Sequence, residues 1–178
     1  FFYGALCVSL SGQCYMRLVS GGRSANRGCC APPCRNLYSL KDGRGKIISK
    51  DRHLLSLKDM DRRSFITDLI KAGVRSFKIE GRLKDENYVK NITAYFRKAL
   101  DQEIEKHSTF RKASSGQTTH LFNPDPEKTF HLGSTDYLLT CKRVSIALPE
   151  TSKSTGKPVG KVIKTGAGYI RIKGSAEL

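Results

Sequence analysis

The sequence predicts an α/β protein, and three observations carry that expectation. Short apolar runs alternate with helically periodic stretches in the order strand, helix, strand, helix over residues 53–106, the pattern of a parallel sheet covered by helices. A length of 178 residues allows one domain, or one with a small appendage. The last 43 residues change style, to short alternating segments parted by Gly, Pro and Ser, which reads as a small antiparallel β module.

Taken in order, Phe1–Ser9 is a short apolar strand with Cys7 near its C-terminal end. Residues 20–35 are loop. Asn36–Arg52 forms a hairpin around Lys41-Asp42-Gly43 and Gly45, with Lys46–Ser49 as the return strand. His53–Ser56 reads as the next strand. Asp59 or Asp61 can cap the helix that follows, because a short carboxylate accepts from free first-turn amides. Phe65, Ile66, Leu69 and Ile70 form its apolar stripe and Gly73 ends it. Val74–Ile79 is a strand, Glu80-Gly81-Arg82 a turn, and Lys84–Lys106 a long helix whose stripe runs Tyr88, Ile92, Tyr95, Phe96, Ala99, Leu100, Ile104.

Periodicity is then lost. Ser108, Ser114, Ser115, Gly116, Thr118 and Thr119 make a polar linker, and Asn123-Pro124-Asp125-Pro126 forbids regular structure. His120 and His131 flank that turn and read as loop residues. Segments 136–140, 143–147, 159–164 and 169–173 are the expected strands of the β module. The boundaries are thus 1–107 for the α/β part, 108–135 for the linker and 136–178 for the module.

The chemistry concentrates at the start. Cys7, Cys14, Cys29, Cys30 and Cys34 are five of the six cysteines, and thiolates are soft ligands suited to zinc, copper(I) or an iron–sulfur cluster. Structural zinc usually takes two short Cys hooks; here only the second pair, Cys30 and Cys34, is that close, with Cys29 an alternative to Cys30. Irregular spacing through glycine-rich loops suits a cluster held between distant loops. The competing reading is disulfides or unligated thiols, and disulfides belong to oxidising compartments. Cys141 stands apart and reads as a packed thiol.

The formal net charge is +16, which argues for a polyanionic partner, since Lys and Arg that neutralise phosphates release counterions. Residues 17–52 hold nine Lys and Arg against Asp42 and Asp51, so the basic run abuts the cysteines. The plainer readings are a solubilising surface, or arginines balancing the charge of a thiolate cluster. The β module is basic too, through Lys161, Lys164, Arg171 and Lys173. No apolar run reaches the ~20 residues of a membrane span, and a reducing cytoplasm is the expected compartment. Phe1 is not Met and opens inside an apolar run, so a preceding segment is expected.

In parallel α/β folds, functional groups collect at the C-terminal strand ends. Cys7, Ser56, Lys58, Lys78, Glu80 and Arg82 fall there, as candidates for contact with an anionic small molecule or a base. The competing reading is a structural Glu–Arg pair that orients the turn.

FYGALCVSLSGQC and GGRSANRGCCAPPCR, followed by HLLSLKDM, AGVRSFKIEGRLKDENYV, THLFNPDPEKTF and GSTDYLL, resemble the U32 family, once described as collagenases. The resemblance implies the C-terminal part of a TIM-like (β/α) barrel. It implies a [4Fe–4S] cluster on Cys7, Cys14, Cys30 and Cys34. It also implies hydroxylation of tRNA or 23S ribosomal RNA, with prephenate as co-substrate; other members hydroxylate a quinone precursor. The THLFNPDPEKTF block inclines towards the rRNA branch. In this reading Lys78, Glu80 and Arg82 serve the reaction, and Arg35 and Lys58 contact substrate. The family usually has His where this chain has Tyr3.

Two other functions compete. A peptidase needs an activated nucleophile or a metal-bound water, yet Gly-x-Ser-x-Gly, His-Glu-x-x-His and paired catalytic aspartates are absent from the sequence; Cys29 with His53 is the formal possibility. A non-catalytic, zinc-stabilised RNA-binding module is the other.

Overall fold

The computed structural model of the chain describes residues 1–9, 12–16, 19, 24–81, 83–106 and 118–174. Arg17, Arg23, Arg82 and the first part of the expected linker lie outside the described residues. In chain order the elements are β1 (Tyr3–Ala5), β2 (Tyr38–Lys41), β3 (Ile47–Arg52), β4 (Asp59–Asp61), α1 (Ile66–Lys71), α2 (Glu86–Lys106), β5 (Ser134–Thr135), β6 (Gly160–Gly166) and β7 (Tyr169–Gly174).

A small sheet in the order β1-β4-β5 lies at the centre. β1 runs antiparallel to β4, with Ala5 opposite Asp59, and β4 runs parallel to β5. The other edge of β1 takes the segment 78–80 in parallel: Phe2 N donates to Lys78 O at 2.8 Å and Glu80 N to Tyr3 O at 2.8 Å. The expected strand Val74–Ile79 is therefore present as this bridge rather than as a long strand. Gly4 makes the close pairing possible. Its φ is +121°, and a Cβ there would fall 2.4 Å from Glu80 O. Only glycine has neither a Cβ to collide nor a penalty for positive φ.

One face of this sheet packs on the helices. Phe2, Tyr3, Ile66, Ile70, Tyr88, Ile92 and Phe96 form the core. The Phe2 ring meets Phe77 and Phe96 edge-on at 5.0 and 5.1 Å, a favoured aromatic geometry. The stripe expected for the long helix is the buried face of α2, and Asp85 caps that helix by accepting from Tyr88 N at 2.8 Å. Asp61 caps the turn leading into α1 by accepting from Arg63 N at 3.1 Å. Gly73, at φ +92°, ends α1 as expected.

The hairpin β2–β3 matches its turn signals. Asp42 accepts from the amides of Arg44 and Lys46, both at 2.9 Å, the side-chain turn that Asp favours. Three expectations are corrected. His53–Ser56 is a turn, closed by Ser56 N to His53 O at 3.0 Å, because Ser56 is anchored from the side by Arg35 and the strand begins three residues later. Segment 136–140 is a turn as well, with Tyr137, Leu138 and Cys141 all at positive φ, which breaks a ladder. Segment 143–147 does not join a module with β6. Instead it lies beside 56–58, through Lys58 N to Ile146 O at 2.9 Å and Leu148 N to Ser56 O at 2.7 Å. The described β module is the hairpin β6–β7.

Candidate cysteine centre and its polar surround

The register sets one end of the sheet apart. β1 and 78–80 point the same way and β4 the other, so Cys7, Glu80 and the approach to Asp59 share that end. The three cysteine-bearing segments meet beside it, at the turn Pro33–Arg35. Tyr38 Oη donates to Pro33 O at 2.8 Å and touches Met16 Sδ at 3.8 Å, which ties the Cys14 segment to the Cys34 hook. Arg35 ties in the Cys7 segment. Its guanidinium donates to Ser56 Oγ at 2.7 Å, to Leu57 O, and to Leu6 O at 3.5 Å. His53 Nδ1 holds Arg35 O at 2.7 Å. Arg35, expected on substrate, thus spends its donors on the scaffold, a use suited to its rigid fork.

Burial pushes the Cys34 thiol above its usual range. Arg35 pulls it back, while Cys7 and Cys30 lie close enough to push it up further. That favours the protonated Cys34 thiol, and a bound cation would reverse the preference. Among the described residues, no three His, Cys, Asp or Glu side chains are placed to hold a metal ion. The donor set fits a cluster in kind: soft thiolates on segments pinned about one turn.

The other expected residues fall around this centre. Lys78 pairs with Glu80 at 3.4 Å, both partly solvated; the competing Glu–Arg pair involves Arg82, which lies outside the described residues. Lys58 Nζ donates to Ser145 O at 3.1 Å and helps hold segment 143–147. Tyr3, where the family usually has His, is a core residue at 2% exposure.

Two residues were missed. Asp59 is 4% exposed; its Oδ2 accepts from Leu132 N at 3.0 Å and its Oδ1 is buried without a partner among the described residues. Burial holds its carboxyl above the usual range, against the pull of the Leu132 amide, Lys84, Arg35 and His131. Lys84 Nζ sits 3.2 Å from the Phe130 ring centre and 5.5 Å from that of Tyr88. Burial lowers its pKa, with Asp59 opposing. Tyr88 Oη donates to Glu80 O at 3.2 Å, and burial pushes its phenol up to about 12. A buried carboxyl raised and a half-buried amine lowered from their ordinary ranges are candidates for proton exchange with a bound molecule. Phe130 and His131 reach this place because Asn91 grips the preceding loop, donating to Asp125 O at 2.6 Å and accepting from Asp125 N at 2.8 Å. The signal in sequence was the Lys58-Asp59 and Lys84-Asp85 pairs; Asp59 reads there as a helix cap and Lys84 only as the start of the long helix.

Comparison with known proteins bears on what this centre does. The model of peptidase family U32 matches residues 1–140. The chain belongs to peptidase family U32. It is 51% identical over 172 residues to the 23S rRNA 5-hydroxycytidine C2501 synthase of Escherichia coli K12, covering 97% of this chain and 26% of that protein. It is 36% identical over 137 residues to a collagenase of Porphyromonas gingivalis, covering 75% of this chain and 37% of the relative. It is 34% identical over 107 residues to the tRNA hydroxylation protein P1 of Bacillus subtilis, covering 57% and 25%. The chain thus spans 25% to 37% of the length of these curated relatives. No solved structure matches it.

Proposed function

We propose that this chain is part of a U32 enzyme that hydroxylates a base of RNA, 23S ribosomal RNA before tRNA. The observation that carries the reading is the 51% identity to a 23S rRNA hydroxycytidine synthase across 97% of the chain. Cys7, Cys14, Cys30 and Cys34 would hold a [4Fe–4S] cluster, and the parallel unit around β1 would belong to a (β/α) barrel. When bound, the cluster supplies one-electron chemistry. Arg35 keeps the Cys7 and Cys34 segments together. Lys84 offers a half-buried ammonium to an anionic group, for which a dicarboxylate such as prephenate is the co-substrate that the resemblance implies. Asp59 and Lys84 hold and move protons at Oδ1 and Nζ as the base is modified. Glu80 and Lys78 fix the turn that leads into Lys84, and Arg82 follows directly in sequence. The excess of 32 Lys and Arg over 16 Asp and Glu favours RNA as the partner.

The collagenase relative favours hydrolysis as a second reading. It gains nothing from the geometry of His53, whose Nδ1 is engaged by the Arg35 carbonyl, as a dyad with Cys29 requires a base turned to the thiol.

The test is a chimera in which this chain replaces the matching quarter of the E. coli synthase, in cells lacking the native enzyme. Nucleosides of 23S rRNA are then measured by mass spectrometry. Restored 5-hydroxycytidine, lost again with Lys84→Met, is the expected result. Absence of the nucleoside from a soluble, cluster-loaded chimera would sink the reading.

A further inference from the structure

The hairpin β6–β7 pairs Lys161 with Lys173 and Lys164 with Arg171, directly across the ladder. Residues opposite one another in an antiparallel pair share a face, and Arg171 and Lys173, two apart, share a face along β7. Lys161 and Lys164 are three apart, so in a regular strand they would point to opposite sides. The ladder slips by one residue between Val162 and Lys164, and a bulge of this kind re-aims the side chain that follows it. The slip puts Lys164 back on the side of Lys161. All four cations therefore stand on one face, while Val162, Ile170 and Ile172 occupy the other. No acidic residue lies between Gly160 and Gly174 to balance them.

Like charges directly opposite one another destabilise a hairpin, so two stacked pairs weaken the fold unless an anion lies across them. Tyr169 completes the same face, opposite Gly166. A Cβ on Gly166 would fall 2.4 Å from the Tyr169 ring. The ring thus lies across the glycine, and it is 49% exposed. A ring held this way offers a π face for stacking without losing rotamer freedom.

We propose that this face binds a single-stranded segment of RNA, with successive phosphates on the Lys161–Lys173 and Lys164–Arg171 pairs and an unstacked base on Tyr169. The inference rests on the reading of RNA as the partner and adds where and in what form the strand is held. A duplex keeps its bases stacked and gives Tyr169 nothing to meet, and an acidic protein would use the cations but not the ring.

The test is binding of a fluorescent 12-nucleotide oligocytidylate by the full chain across a salt series. In the exchange variant K161V/V162K, composition and net charge are unchanged but one cation moves to the other face. Its affinity should fall, and its salt slope should drop by about 0.7, the value of one phosphate contact on a single strand. Tyr169→Ala should weaken binding by roughly fivefold or more while Tyr169→Phe stays near the parent. Circular dichroism establishes that each variant keeps its fold; Arg171→Gln, which leaves the apolar face alone, serves if the exchange does not. An exchange variant that binds like the parent would reduce the face to bulk charge and overturn the proposal, as would equal displacement of the RNA by polyglutamate or tighter binding of duplex. Any of these leaves hydroxylation in the chimera untouched, and a chimera without product leaves these binding results standing.

Discussion

Asp59 shows how one side chain can work against the fold that holds it. Its carboxylate is buried at 4% exposure, with one oxygen bonded to the Leu132 amide and the other unmatched among the described residues. Burial raises its folded-state pKa above the unfolded value. The sign then follows from linkage: the folded state binds the proton more tightly, so stability from this group is fully present below the unfolded pKa of about 3.9 and is lost as pH rises through the folded value. Asp59→Asn keeps the acceptor for Leu132 and removes the charge. It should raise the melting temperature at pH 7 by about 2–4 °C, the equivalent of roughly 1 kcal/mol in a domain of this size, and the gain should shrink towards pH 4. Thermal melts of both proteins between pH 4 and 8 decide it; a gain that is flat with pH would show that desolvated charge is not the cause.

At the scale of elements, the pairing of β1 with 78–80 positions both Cys7 and Glu80, and Gly4 is the residue that permits it. Gly4→Ala meets two penalties at once. Positive φ costs a non-glycine residue about 1–3 kcal/mol, and the methyl would stand 2.4 Å from Glu80 O, so the bridge must open. A loss of at least about 2 kcal/mol in denaturant unfolding is expected; a variant within about 0.5 kcal/mol of the parent would mean that the two segments do not pair this closely. Elements also mark where sequence reasoning held and where it did not. The stripe of α2, the Gly73 stop and the Asp42 turn are local signals, and each was legible because its cause lies within one or two turns of chain. β4 was not. Its residues are Asp-Met-Asp, all buried; Asp61 pairs with its near neighbour Arg63, but Asp59 meets its amide partner Leu132 only across 73 positions of chain. The apolar His53–Ser56 looked more like a strand, but Arg35, 21 residues away from Ser56, fixes it as a turn. The cysteines stood out in the sequence by their crowding, whereas Asp59 and Lys84 did not, since only the β4–β5 pairing and the Asn91 grip place Phe130 and His131 beside them.

At the scale of the whole molecule, the cysteine centre would act as the staple between the N-terminal segments and the sheet. Among the described residues, 6–35 contribute none of the apolar core, which is drawn from Phe2, Tyr3 and the two helices. Among the described residues, hydrogen bonds through Arg35 and Tyr38 attach them to the rest of the protein. A cluster bridging Cys7, Cys14, Cys30 and Cys34 adds bonds that the unfolded chain lacks, so its loss should loosen this region and leave α1, α2 and the sheet in place. Cys30→Ser removes a proposed ligand, whereas Cys141→Ser alters a thiol outside the set that is exposed rather than packed as expected. Anaerobically purified parent and Cys141→Ser should both be brown, with iron and sulfide bound. Cys30→Ser should be bleached, and limited proteolysis should then cut within 6–35 while 59–106 stays protected. Ligand exchange to the neighbouring Cys29 is the one rescue available, and the double variant Cys29→Ser with Cys30→Ser closes it. Colour and protease resistance that survive the double change would remove Cys30 from the centre, and equal bleaching by Cys141→Ser would mean that the iron is held elsewhere.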